Sequence, residues 1–325
     1  METDNVRSRP SAVRWITDPL AVPVDELTGP KRLAALVARN LYWGRTHGWA
    51  NLLEEHDWNL GVRIPRDLRK WNWRRRFGVE PGTARPVLLV GAQRSGTNMV
   101  TYALAMAPEF EVFNEGDRRA FANYRLRDRD HIAELARRSR HRFVLFKPLP
   151  DSHSTVQLLE ELDTPTPPRA LWVYRGVRGR VRSAVAKFGD SNLRVLRSRT
   201  ADPGFRHWQL GGLSHESAAL LDRFDPSELT PADGAALFWL IRNRLVFELG
   251  LHERDDVLLV SYDRFVASPE PPMRRICSFL DFPFDPSLVA HVGPRRPAPA
   301  EASGISEPIL ELCDELNDRL DRSLR

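Results

Sequence analysis

Cysteine is nearly absent: Cys277 and Cys313 are the only two in 325 residues, far apart, each set in an apolar helical pattern. That argues against a disulfide framework or a thiolate metal site and reads as two buried free thiols in a reducing compartment. Long hydrophobic runs are missing too. No segment approaches the ~18 consecutive apolar residues of a membrane span, and Met-Glu-Thr-Asp-Asn-Val-Arg at the start has no apolar run behind its charges. A soluble, cytoplasmic protein is the expectation. Lysine is scarce, at positions 31, 70, 147 and 187, so nearly all positive charge is arginine. The formal charge of +5 suits an anionic ligand. It is too dispersed for nucleic acid: Arg74-Arg75-Arg76 and Arg137-Arg138 lack the interleaved aromatics of a single-strand binder and read as solvated faces.

One segment carries most of the information. Pro86-Val-Leu-Leu-Val-Gly-Ala-Gln-Arg-Ser-Gly-Thr-Asn98 reads as a buried strand, a tight glycine turn and the first turn of a helix. That construction turns backbone N–H groups and the positive end of the helix dipole toward an anion. Gly91 and Gly96 keep the Walker A spacing, but Thr97 stands where the phosphate-reaching lysine belongs, and Asn98 where the magnesium hydroxyl belongs. The cation comes earlier, at Arg94. The loop therefore suits a nucleotide with a single phosphate at that end.

Residues 1–30 are rich in proline and charge and read as loosely ordered, and 31–56 repeat apolar positions (Leu33, Leu36, Val37, Leu41, Trp43) at helical spacing. Arg63 to Arg85 is basic and tryptophan-bearing. Residues 1–84 form an N-terminal, partly helical extension in this reading, and 85–325 the main domain. From Pro86 short apolar strands alternate with helices: strands at 86–90, 110–113, 143–146, 170–174 and 257–261, helices at 96–107, 130–140, 154–162, 231–249, 270–280 and 305–322. The pattern predicts an α/β fold with a central parallel sheet and helices on both faces. Ligands of such sheets bind beyond the carboxyl ends of the strands, where the Gly91 loop lies.

A second anion motif follows the strand at 170–174. Arg175 leaves the strand end and Ser183 comes eight residues later inside a predicted helix. A guanidinium fork and a hydroxyl two turns along can meet on one phosphate. Two phosphate sites on neighbouring strands point to one ligand with phosphates at both ends.

In these motifs the sequence resembles the sulfotransferases that use 3′-phosphoadenosine 5′-phosphosulfate (PAPS). Gln93-Arg-Ser-Gly-Thr97 is similar to their 5′-phosphosulfate loop, and Arg175 to Ser183 to their 3′-phosphate motif. Ser261-Tyr-Asp-Arg-Phe-Val-Ala-Ser-Pro-Glu270 with Arg274-Arg-Ile-Cys-Ser-Phe-Leu280 resembles a signature near the end of many bacterial members. The likeness covers about residues 86–283 and includes carbohydrate-sulfotransferase-like features on a P-loop-like fold. Gly176 and Gly179 depart from it, standing where the family commonly has aspartates.

The resemblance implies in-line transfer of a sulfuryl group from PAPS to an acceptor hydroxyl or amine, without a metal, leaving adenosine 3′,5′-bisphosphate. Arg94, Ser95, Gly96, Thr97 and Asn98 would hold the 5′ end, and Arg175 and Ser183 the 3′-phosphate. Glu115, just after the second strand, lies where carbohydrate sulfotransferases place their base; the competing reading is a loop-capping carboxylate. Lys147 resembles the lysine of a Lys-Thr-His block, but Pro148-Leu149 replaces Thr-His, which leaves His153 as the nearby histidine, a base or a structural loop residue. Arg295 and Arg296 fall in a loop whose family counterpart closes over the cofactor. Trp172, Trp239 and Phe247 read as core, and Trp208 as an adenine, acceptor or packing contact. The resemblance implies a small-molecule, glycan or lipid acceptor, its pocket drawn from residues 116–130, 187–230 and the N-terminal extension. Two other readings stand beside this one. A catalytically idle nucleotide-binding protein would keep Arg94, Thr97, Arg175 and Ser183 without a placed base. A P-loop kinase would need the missing lysine and a magnesium carboxylate.

Overall fold

The computed structural model describes residues 60–202, 204–292 and 304–324, with a few positions between 29 and 45. The expected loose segment 1–30, most of the expected helix at 31–56, and Arg295 and Arg296 lie outside the described residues. The chain divides into two compact units, Met1–Leu68 and Arg69–Arg325. The larger one carries the sheet.

Five strands form that sheet: β1 (Arg85–Gly91), β2 (Phe110–Phe113), β5 (Phe143–Phe146), β6 (Arg169–Tyr174) and β7 (Val257–Ser261), in the order β2-β5-β1-β6-β7. Every pairing is parallel, with Leu88 opposite Phe146 and Val90 opposite Trp172. The remaining strands, β3 (Phe121–Ala122) and β4 (Arg125–Leu126), make a separate small hairpin. The helices, in chain order, are α1 (Leu60–Phe77), α2 (Thr97–Met106), α3 (Arg129–Arg138), α4 (Thr155–Glu161), α5 (Val177–Phe188), α6 (Ser191–Ala201), α7 (His215–Leu221), α8 (Pro231–Glu248), α9 (Tyr262–Ala267), α10 (Glu270–Leu280) and α11 (Glu307–Arg322). The strands and helices expected from Pro86 onward are all present, with ends shifted by at most a few residues.

The two-residue period of a strand sorts the central residues onto two faces. Leu88, Val90, Phe146 and Trp172 face a core shared with Val181 of α5, Trp239 and Leu240 of α8, and Leu316 of α11. Val87, Leu89, Leu145 and Leu171 face a second core with Val100 and Leu104 of α2 and Met273, Ile276 and Leu280 of α10. Both faces are covered, so the strands read as continuous apolar runs. Trp172 and Trp239 are fully buried, as expected of core residues. Their indole N–H groups are satisfied, by Asn243 Oδ1 at 3.3 Å and by the Arg175 carbonyl at 2.7 Å. Cys277 and Cys313 are free and buried, and burial pushes the Cys277 thiol up to about 12.

Two local devices fix the frame. Thr230, just before Pro231, and Asp233, two residues after it, form a capping box that starts α8 where its sequence predicts. Asp233 then accepts from the Ser306 N–H at 2.7 Å and sets the entry to α11. At the other end of the sheet, Lys70 donates to the carbonyl of Phe110 on edge strand β2 at 2.8 Å, and Arg69 to that of Met106. No helix among the described residues is long and apolar enough to cross a membrane.

Candidate active site

The loop between β1 and α2 sits at the carboxyl edge of the central strand. Three of its residues have left-handed backbone: Gly91 (φ 134°), Arg94 (φ 69°) and Gly96 (φ 87°). A Cβ on Gly91 would lie 2.2 Å from the carbonyl oxygen of Val173, and one on Gly96 would lie 2.0 Å from the Tyr262 ring. Only glycine fits either position. Arg94 is the costly exception, a bulky residue held at positive φ. Gly96 has no side chain with which to cap α2, so no N-cap side chain takes the first N–H groups of that helix. Ser95 is fully buried, and its hydroxyl has no hydrogen-bond partner among the described residues.

Ser152 pins the loop from below. Its hydroxyl accepts the Gly91 N–H at 3.0 Å and lies 3.1 Å and 2.9 Å from the carbonyls of Gly91 and Leu149. Arg180 of α5 supports the next residues: fully buried, it donates to the carbonyls of Gln93 at 3.1 Å and Ala235 at 2.6 Å, over the Phe238 ring. Burial, with the nearby Arg94 charge, pushes its pKa down to about 9, which leaves it cationic at neutral pH.

Arg94 Nε donates to Ser183 Oγ at 3.1 Å, so the two anion motifs touch. Arg175 follows the last residue of β6 with its guanidinium 4.6 Å from the centre of the Tyr262 ring, and its buried Nε has no hydrogen-bond partner among the described residues. The turn after it is held by Asp263, which accepts the Gly176 N–H at 2.6 Å. A Cβ on Gly179 would lie 2.8 Å from Arg175 Nε, so the glycine leaves room for the guanidinium. Tyr262 thus touches both motifs, lying against Gly96 and under Arg175.

Lys147 directly follows β5 and is buried. Its ammonium donates to Asn98 Oδ1 at 2.5 Å and lies 3.4 Å from Glu115 Oε2. Asn98, Lys147 and Glu115, candidates from three separate segments, therefore form one chain beside the N-terminus of α2. His153 sits apart from that chain. Its side chain packs on Gly211 and Gly212, where a Cβ would lie 2.7 Å from the ring and 2.5 Å from the His153 Cβ, and its buried Nδ1 has no hydrogen-bond partner among the described residues. Burial, reinforced by the neighbouring Arg242 charge, lowers its pKa. Trp208, half-buried, makes an edge contact with Phe238.

Sequence reasoning missed Tyr262, Asp263, Ser152 and Arg180. Tyr262, Asp263 and Arg180 fall inside stretches already singled out, and only Ser152 lies in none. The partners of Ser152 and Arg180 lie 61 and 87 residues away, a pairing no local pattern reveals.

A parallel α/β sheet thus carries, at the carboxyl edge of neighbouring strands, a glycine loop that leads into a helix with no side-chain cap and an arginine–serine motif in contact with it. The family model described as "Sulfotransferase domain" matches residues 84–292, and the chain belongs to that family. No curated protein sequence matches it. Among solved structures, the chain is similar to the sulfotransferase domain from the curacin biosynthetic pathway (15% identity, 74% of this chain and 98% of that one, TM-score 0.43). It is also similar to the sulfotransferase domain of the Synechococcus PCC 7002 olefin synthase (17%, 76% and 92%, TM-score 0.38). A sulfotransferase from Alicyclobacillus acidocaldarius gives 18%, 74% and 93%, with a TM-score of 0.37.

Proposed function

We propose that this chain moves a sulfuryl group from PAPS to an acceptor hydroxyl, with Glu115 as the base. The observation that carries this reading is the position of Lys147, whose one ammonium meets both the first turn of α2 at Asn98 and the carboxylate of Glu115. The residues fit a nucleotide phosphorylated at both ends: Ser95 Oγ and Arg175 Nε are buried polar atoms with no hydrogen-bond partner among the described residues, and the positions of Gly91 and Gly96 carry no side chain. When bound, PAPS supplies the activated sulfuryl group and the departing phosphate.

The chain's own residues do the rest. Arg94, the N–H groups of Ser95, Gly96, Thr97 and Asn98, and the Thr97 hydroxyl hold the 5′ end. Arg175 and Ser183 hold the 3′-phosphate and so discriminate against ATP. Lys147 places a buried positive charge where negative charge grows on the departing side, and a preorganised charge at low dielectric stabilises it without reorganisation. Glu115 takes the proton of the acceptor hydroxyl, and Lys147 orients the carboxylate for that task. His153, enclosed by Gly211 and Gly212, is the weaker candidate for base. An acceptor of the glycan, glycolipid or hydroxylated-metabolite class would enter past 116–130 and 187–230.

Calorimetry with adenosine 3′,5′-bisphosphate, AMP and ATP tests the reading. Tight binding that needs the 3′-phosphate is expected; binding of ATP with magnesium, and none of the bisphosphate, would overturn it.

A further inference from the structure

A cavity of about 430 Å³ lies along the outer side of edge strand β2, lined by Trp71, Arg74 and Arg75 of α1, Glu111 and Phe113 of β2, and Arg119, with Arg138, Ser139 and Arg140 closing it. Its volume is that of a small-ligand site. All of these residues belong to the Arg69–Arg325 unit. None belongs to the loop that carries Arg94 or to the Arg175 motif.

Five guanidinium groups and one carboxylate line it, a strong local excess of positive charge. Two of the five are already matched: Arg119 pairs with Asp117 at 2.7 Å and Arg138 with Glu134 at 2.7 Å. Arg74, Arg75 and Arg140 have no carboxylate in salt-bridge range among the described residues. Arg75 lies 4.6 Å from the centre of the half-exposed Trp71 ring, and Arg119 lies 4.7 Å from that of Phe113. Glu111 is held by Ser139 at 2.8 Å and faces Arg119 at 3.8 Å. Unmatched guanidiniums ask for oxyanions with forked geometry. A tryptophan face at their edge asks for a flat or ring-shaped apolar surface. The separation of the three arginines over two elements asks for more than one anionic group on the same ligand.

We infer that this cavity is a second binding site, separate from the nucleotide loop, for a sugar bearing several anionic esters, sulfate or phosphate. It goes beyond the transfer reaction and stands or falls independently of it. The ligand's ring lies against Trp71, and its esters meet Arg74, Arg75 and Arg140. Glu111 limits affinity by like-charge repulsion and keeps singly charged anions from filling the site.

The test is calorimetric titration of the full chain with a persulfated disaccharide, with and without saturating adenosine 3′,5′-bisphosphate. Binding is expected in both conditions and weakens with salt. The double variant Arg74→Ser/Arg140→Ser, at two exposed positions, should lose at least about tenfold in affinity while binding the bisphosphate normally; Glu111→Gln should gain several-fold. A hexose bisphosphate and the unsubstituted disaccharide complete the set: tighter binding of the first assigns phosphate esters, tighter binding of the persulfated sugar assigns sulfate. Four results overturn the inference: no binding, loss of binding when the bisphosphate is present, an unchanged double variant, or equal binding of a thymidine oligonucleotide of the same charge. Failure of the bisphosphate to bind, with the persulfated sugar still held, would count against the proposed transfer reaction alone.

Discussion

Tyr262 lies between two positions that are far apart in sequence, with its ring against Gly96 on one side and the Arg175 guanidinium 4.6 Å from its centre on the other. The contact makes the glycine a requirement of the site as well as of the turn. Gly96→Ala combines a left-handed backbone, costing about 1–2 kcal/mol for a residue with a Cβ, with a collision against the ring. It should lower both the melting temperature and the affinity for adenosine 3′,5′-bisphosphate. Adding Tyr262→Ala relieves the collision but not the backbone strain, so a partial recovery is expected. Full recovery would assign the whole cost to the ring.

Arg175→Ala should raise the cofactor KM by about tenfold or more, the worth of a charge-assisted hydrogen bond, with acceptor binding nearly unchanged. Arg175→Lys should recover only part of this, because a single ammonium lacks the planar fork and the flat face that lies on Tyr262. Steady-state kinetics with varied cofactor check it; a variant with normal cofactor affinity moves the 3′-phosphate elsewhere.

Glu115→Gln keeps the shape of the carboxylate and removes its basicity. The expected result is a fall of about 100-fold or more in kcat at similar cofactor affinity. Near-normal turnover would transfer the role of base to another group, and His153→Asn is then the variant to measure.

Ser152→Ala removes the hydroxyl that accepts the Gly91 N–H in a fully buried setting. An orphaned buried donor costs about 1–3 kcal/mol. Urea denaturation should show that loss, accompanied by weaker bisphosphate binding because the loop is no longer tied to the segment after β5.

The buried histidines set an acid limit. Burial lowers the pKa of both His141 and His153 in the folded chain. The unfolded chain, titrating near pH 6.5, then binds more protons than the folded one below that value. Stability should be level above about pH 6.5 and fall as the pH drops below it. His153→Asn should make the fall shallower in urea melts between pH 7 and 5; an unchanged slope would assign the effect to other groups.

Much of this was legible in the chain because its signals are local. The strands are short apolar runs bounded by turns, and the two anion motifs each fit within a dozen residues. What escaped is equally informative. The hairpin of β3 and β4 has strands of two residues, too short to show alternation, and it owes its place to Asp151, which accepts from Arg125 at 2.5 Å and from the Leu126 N–H at 2.8 Å. Helix α6 shows a weak pattern because part of its buried face is polar: Asn192 donates to Gln209 at 2.9 Å. It also approaches α8 closely enough that a Cβ on Gly234 would lie 2.7 Å from Leu193. Helix α1 is masked by its arginines and by Pro65. In the site, Glu115, Lys147 and Asn98 were separate candidates; that one ammonium joins them is a property of three strand ends meeting, which only the folded sheet displays.

The bond from Lys70 to the Phe110 carbonyl has a consequence for how molecules of this protein meet. An edge strand offers a row of free backbone groups on which another chain can add a strand. Here a lysine takes one of those acceptors. Growth of the sheet across this margin is thereby discouraged, and neighbours on that side must be engaged through side chains, where shape and charge can choose among them.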